Sequence, residues 1–132
     1  MLDEAIIGRN PLIRAGLGEI IEEEKERLRG YEVRFHPGHG RTLAGKTVLL
    51  VDDGLATGAT TRAAVLSARK QLARTIIVAA PVASTHAVER LTREADAVRA
   101  LWVDPDFDAV GRYYDVFSQT TDEEVLELLH AA

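Results

Sequence analysis

The chain has no cysteine, a single tryptophan, four prolines and only 5% aromatic residues among its 132. Without thiols there can be no disulfide framework, no thiolate metal site and no cysteine nucleophile. The longest apolar run, residues 76–83, is too short to cross a bilayer, and the N-terminus lacks a basic-then-apolar signal pattern. These absences predict a cytoplasmic protein with no membrane partner. Positive charge is also thin: 16 Lys and Arg stand against 21 Asp and Glu, a net charge of −5, with no long basic block. A duplex-binding surface needs a basic stripe to displace counterions, so nucleic acid is disfavoured as a partner. A small anionic ligand remains open, because a helix N-terminus supplies a local positive field whatever the global charge.

What is present is ordinary for a soluble globular chain, 46% hydrophobic and 28% charged, and its length suits one domain over residues 1–132. Residues 2–7 read as a short strand, closed by the turn signal Gly8-Arg9-Asn10-Pro11. Residues 17–29 read as a helix with a thin apolar stripe, ended by Gly30 or prolonged through residues 31–35, with i,i+4 pairs such as Glu23 to Arg27 on its charged face. Residues 36–46 are glycine-rich loop. Strands are then expected at 47–51, 75–80 and 97–103, a helix at 58–73 with Thr61, Val65, Ala68 and Leu72 on its buried face, and one from the N-cap Ser84 to about Glu94. Residues 104–112 look irregular, residues 113–117 like an edge strand, and Thr121 with Glu124 like the capping box of a last helix. Alternating strands and helices imply an α/β fold, a three-layer parallel sheet of Rossmann-like type with ligands beyond the carboxyl ends of its strands.

The most informative stretch is Val48-Leu49-Leu50-Val51-Asp52-Asp53-Gly54-Leu55-Ala56-Thr57-Gly58-Ala59-Thr60. Four apolar residues end in two acids, and a loop of small residues opens a helix. That arrangement presents backbone N–H groups to a phosphate, with carboxylates where an attached sugar would show its hydroxyls. Haloacid-dehalogenase phosphatases need Asp-x-Asp-x-Thr, and receiver domains lack a Thr-Gly-x-Thr loop after their acids, so both fail on spacing.

This run resembles the phosphoribosyl-pyrophosphate signature of type I phosphoribosyltransferases: four hydrophobic residues, two acids, three variable residues, then Thr-Gly-x-Thr. Residues 79–84, 109–111 and 121–125 extend the resemblance to a small stand-alone bacterial branch, best over residues 43–132. The resemblance implies a phosphoribosyltransferase-like fold. It also implies Mg²⁺-dependent transfer of the 5-phosphoribosyl group from phosphoribosyl pyrophosphate to a small nitrogenous acceptor, with release of pyrophosphate. Ala56, Thr57, Gly58, Ala59 and Thr60 would hold the 5′-phosphate. Asp52 and Asp53 would hold the ribose hydroxyls, directly or through Mg²⁺ and its waters, and would be the catalytic acids. Pro81, Val82, Trp102 and Phe107 would wall the acceptor. A homo-oligomer is compatible with the family.

The family's upstream pyrophosphate loop and mobile loop have no good counterpart. Gly8-Arg9-Asn10-Pro11 is a weak one, since Pro11 lacks an N–H such a loop would use. The simpler reading is a chain that is the C-terminal part of a larger domain. The alternative functions are a non-catalytic module that binds phosphoribosyl pyrophosphate or nucleotides, or an inactive fragment. Four histidines remain outside this scheme: His36 and His39 as loop residues without partners for a metal site, His86 and His130 on helices. Arg41 and Lys46 precede the first core strand and belong at the edge away from the phosphate loop.

Overall fold

The computed structural model describes residues 11–35 and 42–131. The expected strand at 2–7, the Gly8–Pro11 turn up to residue 10, His36, His39 and Arg41 lie outside them. The chain divides into two compact units, residues 42–118 and a second comprising the described residues among 2–41 and 119–132.

The first unit is built on a parallel sheet. Strand β1 (Thr47–Val51), helix α2 (Ala59–Lys70), strand β2 (Thr75–Ser84), helix α3 (Thr85–Leu91) and strand β3 (Ala97–Asp104) follow in that order. The helix that precedes them, α1 (Pro11–Phe35), belongs to the second unit. The sheet order is β1-β2-β3, with Val48 opposite Ile76 and Val78 opposite Val98. Side chains alternate faces along a strand, so Ile76, Val78 and Ala80 of β2 share one face. Val65 and Ala68 of α2, with Ala87 and Leu91 of α3, close over it in a single apolar core. Burying a Val, Leu or Ile side chain fully contributes roughly 1.5–3 kcal/mol, so this two-helix cover is the main stabilising layer of the unit. On the opposite face Leu49, Val51 and Leu101 stand exposed.

β2 runs four residues further than the composition suggests, through Pro81. Proline has no N–H to give a ladder. Pro81 has no register partner: Ala80 and Val82 on either side of it stand opposite Ala100 and Trp102.

Two other elements depart from expectation. Helix α2 stops at Lys70 rather than Ala73, because Leu72 adopts φ +61° and the chain turns back, with Ala73 N–H donating to Ala68 O and Leu72 N–H to Arg69 O. Leu72 is consequently exposed and not part of the buried face. Residues 113–117 form no edge strand: a 3₁₀ turn spans Val110–Tyr113, and the Tyr113 hydroxyl donates to Asp104 Oδ2 at 2.7 Å. That bond pushes the phenol up to about 12 and holds the Asp104 carboxyl below its ordinary value. Helix α3 ends at Leu91, three residues short of Glu94, and Glu94 instead pairs with Arg62 at 2.6 Å.

In the second unit α1 spans Pro11–Phe35, so Gly30 does not end it. Its ion pairs are i,i+3, namely Glu22–Lys25, Glu24–Arg27 and Glu26–Arg29, rather than Glu23–Arg27. Exposed as they are, each contributes little. Helix α4 (Asp122–Ala131) begins with the expected capping box: Thr121 N–H donates to Glu124 Oε2, and Glu124 N–H donates to Thr121 Oγ1. Arg34 of α1 reaches Asp122 and Glu123 in the acidic first turn of α4. Among the described residues no helix is long and apolar enough to cross a membrane.

Two features of the first unit lend themselves to measurement. A left-handed residue other than glycine costs about 1–2 kcal/mol, so Leu72→Gly should raise stability to urea by about 1 kcal/mol, since no buried contact is lost. Asp96 accepts from the Ile76 N–H and from Arg69, both at 2.7 Å, and chiefly the Ile76 bond holds its carboxyl below the ordinary aspartate value. The folded state thus binds this proton less tightly than the unfolded one. Its stabilisation is present above the unfolded pKa and is lost as pH falls through the folded one. The gap in thermal midpoint between wild type and Asp96→Asn should be open at neutral pH and close below about pH 4.

Candidate phosphate and sugar site

β1 delivers the two acids at its carboxyl end, but the two are not equivalent. Asp52 is half-buried: Oδ2 accepts from the Thr61 hydroxyl at 3.0 Å, and Oδ1 accepts from the Asp53 N–H at 3.1 Å. Thr61, on the first turn of α2, is the one polar side chain buried among the described residues. Asp52 therefore ties the strand end to the helix start. The Asp53 carboxylate is exposed and has no side-chain hydrogen bond or ion pair among the described residues. It is the acid left available for a ligand.

Between the acids and the helix the chain is held at every second step. Leu55, 1% exposed, donates its N–H to Val82 O and accepts from the Ser84 N–H, so the loop rejoins β2 after leaving the ladder at Asp52. The Ser84 hydroxyl donates to Ala56 O at 2.6 Å and also accepts from Ala87 N–H, as the expected N-cap of α3. Gly54 sits under Val110 and Val82. A Cβ there would lie 2.6 and 2.8 Å from the two Val110 methyls and 3.1 Å from Val82 Cγ1. The Tyr114 hydroxyl closes the other side, donating to Asp53 O at 2.7 Å.

Gly58 is the N-cap of α2 with φ +66°, a left-handed conformation that glycine adopts without steric cost. A Cβ at this position would also come within 3.2 Å of Leu91 Cδ1. Because the cap has no side chain, the first amides of the helix are not covered by one. The Ala59 N–H is shared with Thr57 Oγ1 at 3.3 Å. Thr57 and Thr60 are exposed beside them. Backbone N–H groups at a helix start and two exposed hydroxyls are chemistry that suits an anion, and the exposed Asp53 carboxylate precedes them in the same loop.

The expected acceptor residues are dispersed. Val82 is buried, Pro81 is exposed, and Trp102, opposite Val82 in register, is 64% exposed. Phe107 stacks on Tyr113 with ring centroids 5.3 Å apart. Among the described residues no group of three or more His, Asp or Glu side chains could hold a metal ion. Sequence reasoning does not find Thr61, Tyr114 or Val110 as partners of the acidic loop. Of these, Thr61 alone carries a signal, a hydroxyl on an otherwise apolar helix face nine residues after Asp52.

No protein-family model matches the chain. The whole chain is 34% identical, over 133 aligned positions, to two Mycobacterium tuberculosis proteins. They are "Putative phosphoribosyl transferase MT0597" of strain CDC 1551 / Oshkosh and "Putative phosphoribosyl transferase Rv0571c" of strain ATCC 25618 / H37Rv. The chain spans 30% of the length of each. The crystal structure of TT1426 from Thermus thermophilus superposes with a TM-score of 0.69 at 40% identity, covering 97% of this chain and 57% of that one. Along its whole length the chain is similar in sequence to proteins named putative phosphoribosyl transferases, and its α/β fold is similar to that of TT1426.

Proposed function

We propose that residues 52–60 bind the phosphoribosyl group of phosphoribosyl pyrophosphate, for Mg²⁺-dependent transfer to a nitrogenous acceptor with release of pyrophosphate. The observation that carries this reading is the pairing of a left-handed Gly58 at the start of α2 with an unpartnered Asp53 carboxylate at the end of β1. The first suits a 5′-phosphate and the second suits the sugar hydroxyls of the same ligand. The names of the two relatives support it.

In such a transfer the bond from C1′ to the pyrophosphate oxygen breaks, and its electron pair leaves with pyrophosphate. Positive charge develops on the ring, and a nitrogen lone pair then closes on C1′ and sheds its proton. The chain's part is to hold the 5′-phosphate on the amides and hydroxyls of residues 57–60, each charge-assisted bond being worth about 1.5–3 kcal/mol. Asp53 would orient the ribose hydroxyls and place negative charge near the developing cation. Asp52 would keep that geometry rigid through Thr61. Bound Mg²⁺ would neutralise the departing pyrophosphate. An exposed carboxylate such as Asp53 suits an ion carried by the ligand and reached through water. Pro81 and Trp102, exposed near the carboxyl ends of β2 and β3, would be the residues that meet an acceptor.

Isothermal titration of the chain with ribose 5-phosphate in Mg²⁺ should give measurable heat, and Gly58→Val should abolish it while circular dichroism still reports a folded chain. No heat from wild type at millimolar ligand overturns the assignment. Catalysis is read separately. Pyrophosphate release from phosphoribosyl pyrophosphate, with purines, pyrimidines or small amines as acceptors, should fall roughly 10²-fold in Asp53→Asn. Release that is unchanged in that variant removes Asp53 from the chemistry.

A further inference from the structure

We propose that residues 104–117 act as a strap that positions the sugar-binding acid, with Tyr114 and Val110 as its positioning residues. The proposal rests on the phosphoribosyl reading above and assigns a separate control to each half of the ligand.

The strap is anchored at its base. Asp104, the last residue of β3, accepts from the Tyr113 hydroxyl at 2.7 Å and from the Asp106 N–H at 2.8 Å, and the Phe107 ring stacks on Tyr113. From that base the 3₁₀ turn brings Val110 against Gly54, and the next residue after the turn, Tyr114, bonds to Asp53 O. Tyr114 is itself braced by Phe117, ring centroids 5.3 Å apart.

The loop is thus held from two sides. Asp53 and Gly54 are fixed by the strap, whereas Leu55 and Ala56 are fixed by β2 through Val82 and Ser84. The Asp53 carboxylate has no bond of its own among the described residues, so its direction is set through its backbone. Tyr114 is the side chain that bonds to the carbonyl of that backbone. The phosphate cradle at residues 57–60 lies beyond the Leu55 anchor. Loosening the strap should therefore blur the sugar end of the site and leave the phosphate end intact.

The test compares two ligands by isothermal titration in Mg²⁺, ribose 5-phosphate and inorganic phosphate, on the full chain. Tyr114→Phe keeps the ring and removes one hydrogen bond. It should weaken ribose 5-phosphate about fivefold and leave inorganic phosphate unchanged, with a thermal midpoint close to wild type. Gly54→Ala should show the same selective loss, and Gly54→Ala combined with Val110→Ala should recover it, because the second change makes room for the added methyl. A purely structural role would weaken both ligands together with stability. Equal losses, no loss in Tyr114→Phe, or no recovery in the double variant overturns the strap. If wild type binds neither ligand, the phosphoribosyl reading falls and the strap with it.

Discussion

Leu55 is the point from which the site hangs. β1 ends at Val51, the last sheet bond of that edge runs from Asp52 N–H to Ala79 O, and the chain then leaves the ladder for two residues. It returns because Leu55 places its side chain in the core and gives both backbone groups to β2. Burial of a leucine contributes roughly 1.5–3 kcal/mol and each backbone bond about 1 kcal/mol net. With both ends fixed, Asp53 and Gly54 have no freedom to relax toward the sheet. The backbone that carries the exposed Asp53 carboxylate is thereby fixed.

The same division of labour explains why two acids stand together. Asp52 uses both oxygens on the protein itself, one on buried Thr61 and one on the next amide, and so converts the strand end and helix start into one rigid piece. Asp53 gives its carbonyl to the protein and keeps its carboxylate for the outside. Asp52 is half-buried and Asp53 exposed, so the neighbouring pair serves an inward and an outward task at once. The helix cap follows the same logic. Gly58 supplies curvature without a side chain, where a serine or aspartate cap would have covered the first amides.

Much of this architecture is legible in the residues, and the exceptions have physical causes. The sheet strands, α2, the Ser84 cap and the Thr121–Glu124 box are written in local patterns of apolar spacing and capping chemistry, and those patterns place each to within a few residues. The thirteen-residue run 48–60 reads as strand, loop and helix start, and those elements form there. Leu72 misleads because its helical spacing is apolar, while the left-handed turn that exposes it is decided by the bonds of Leu72 and Ala73 back to Arg69 and Ala68. Residues 113–117 look strand-like by composition, yet Tyr113 closes the 3₁₀ turn Val110–Tyr113 with its hydroxyl on Asp104, and residues 114–117 pair with no strand. Tyr114 is unreadable as a partner of Asp53 because 61 residues separate them and a single hydroxyl bond leaves no periodic trace. Side-chain contacts between distant segments are the part of a fold that local pattern does not encode.

The anchors of residues 53–56 all come from later in the chain, Val82 and Ser84 first and then Val110 and Tyr114. A polypeptide leaves the ribosome N-terminus first and domains form as units during synthesis. When the acidic loop emerges, nothing that shapes it yet exists. The loop would be fixed in two steps, residues 55–56 once β2 has been made and residues 53–54 only after Val110 and Tyr114 have followed. A nascent chain would thus fix the Asp53 end of this loop only after all three described strands have been made.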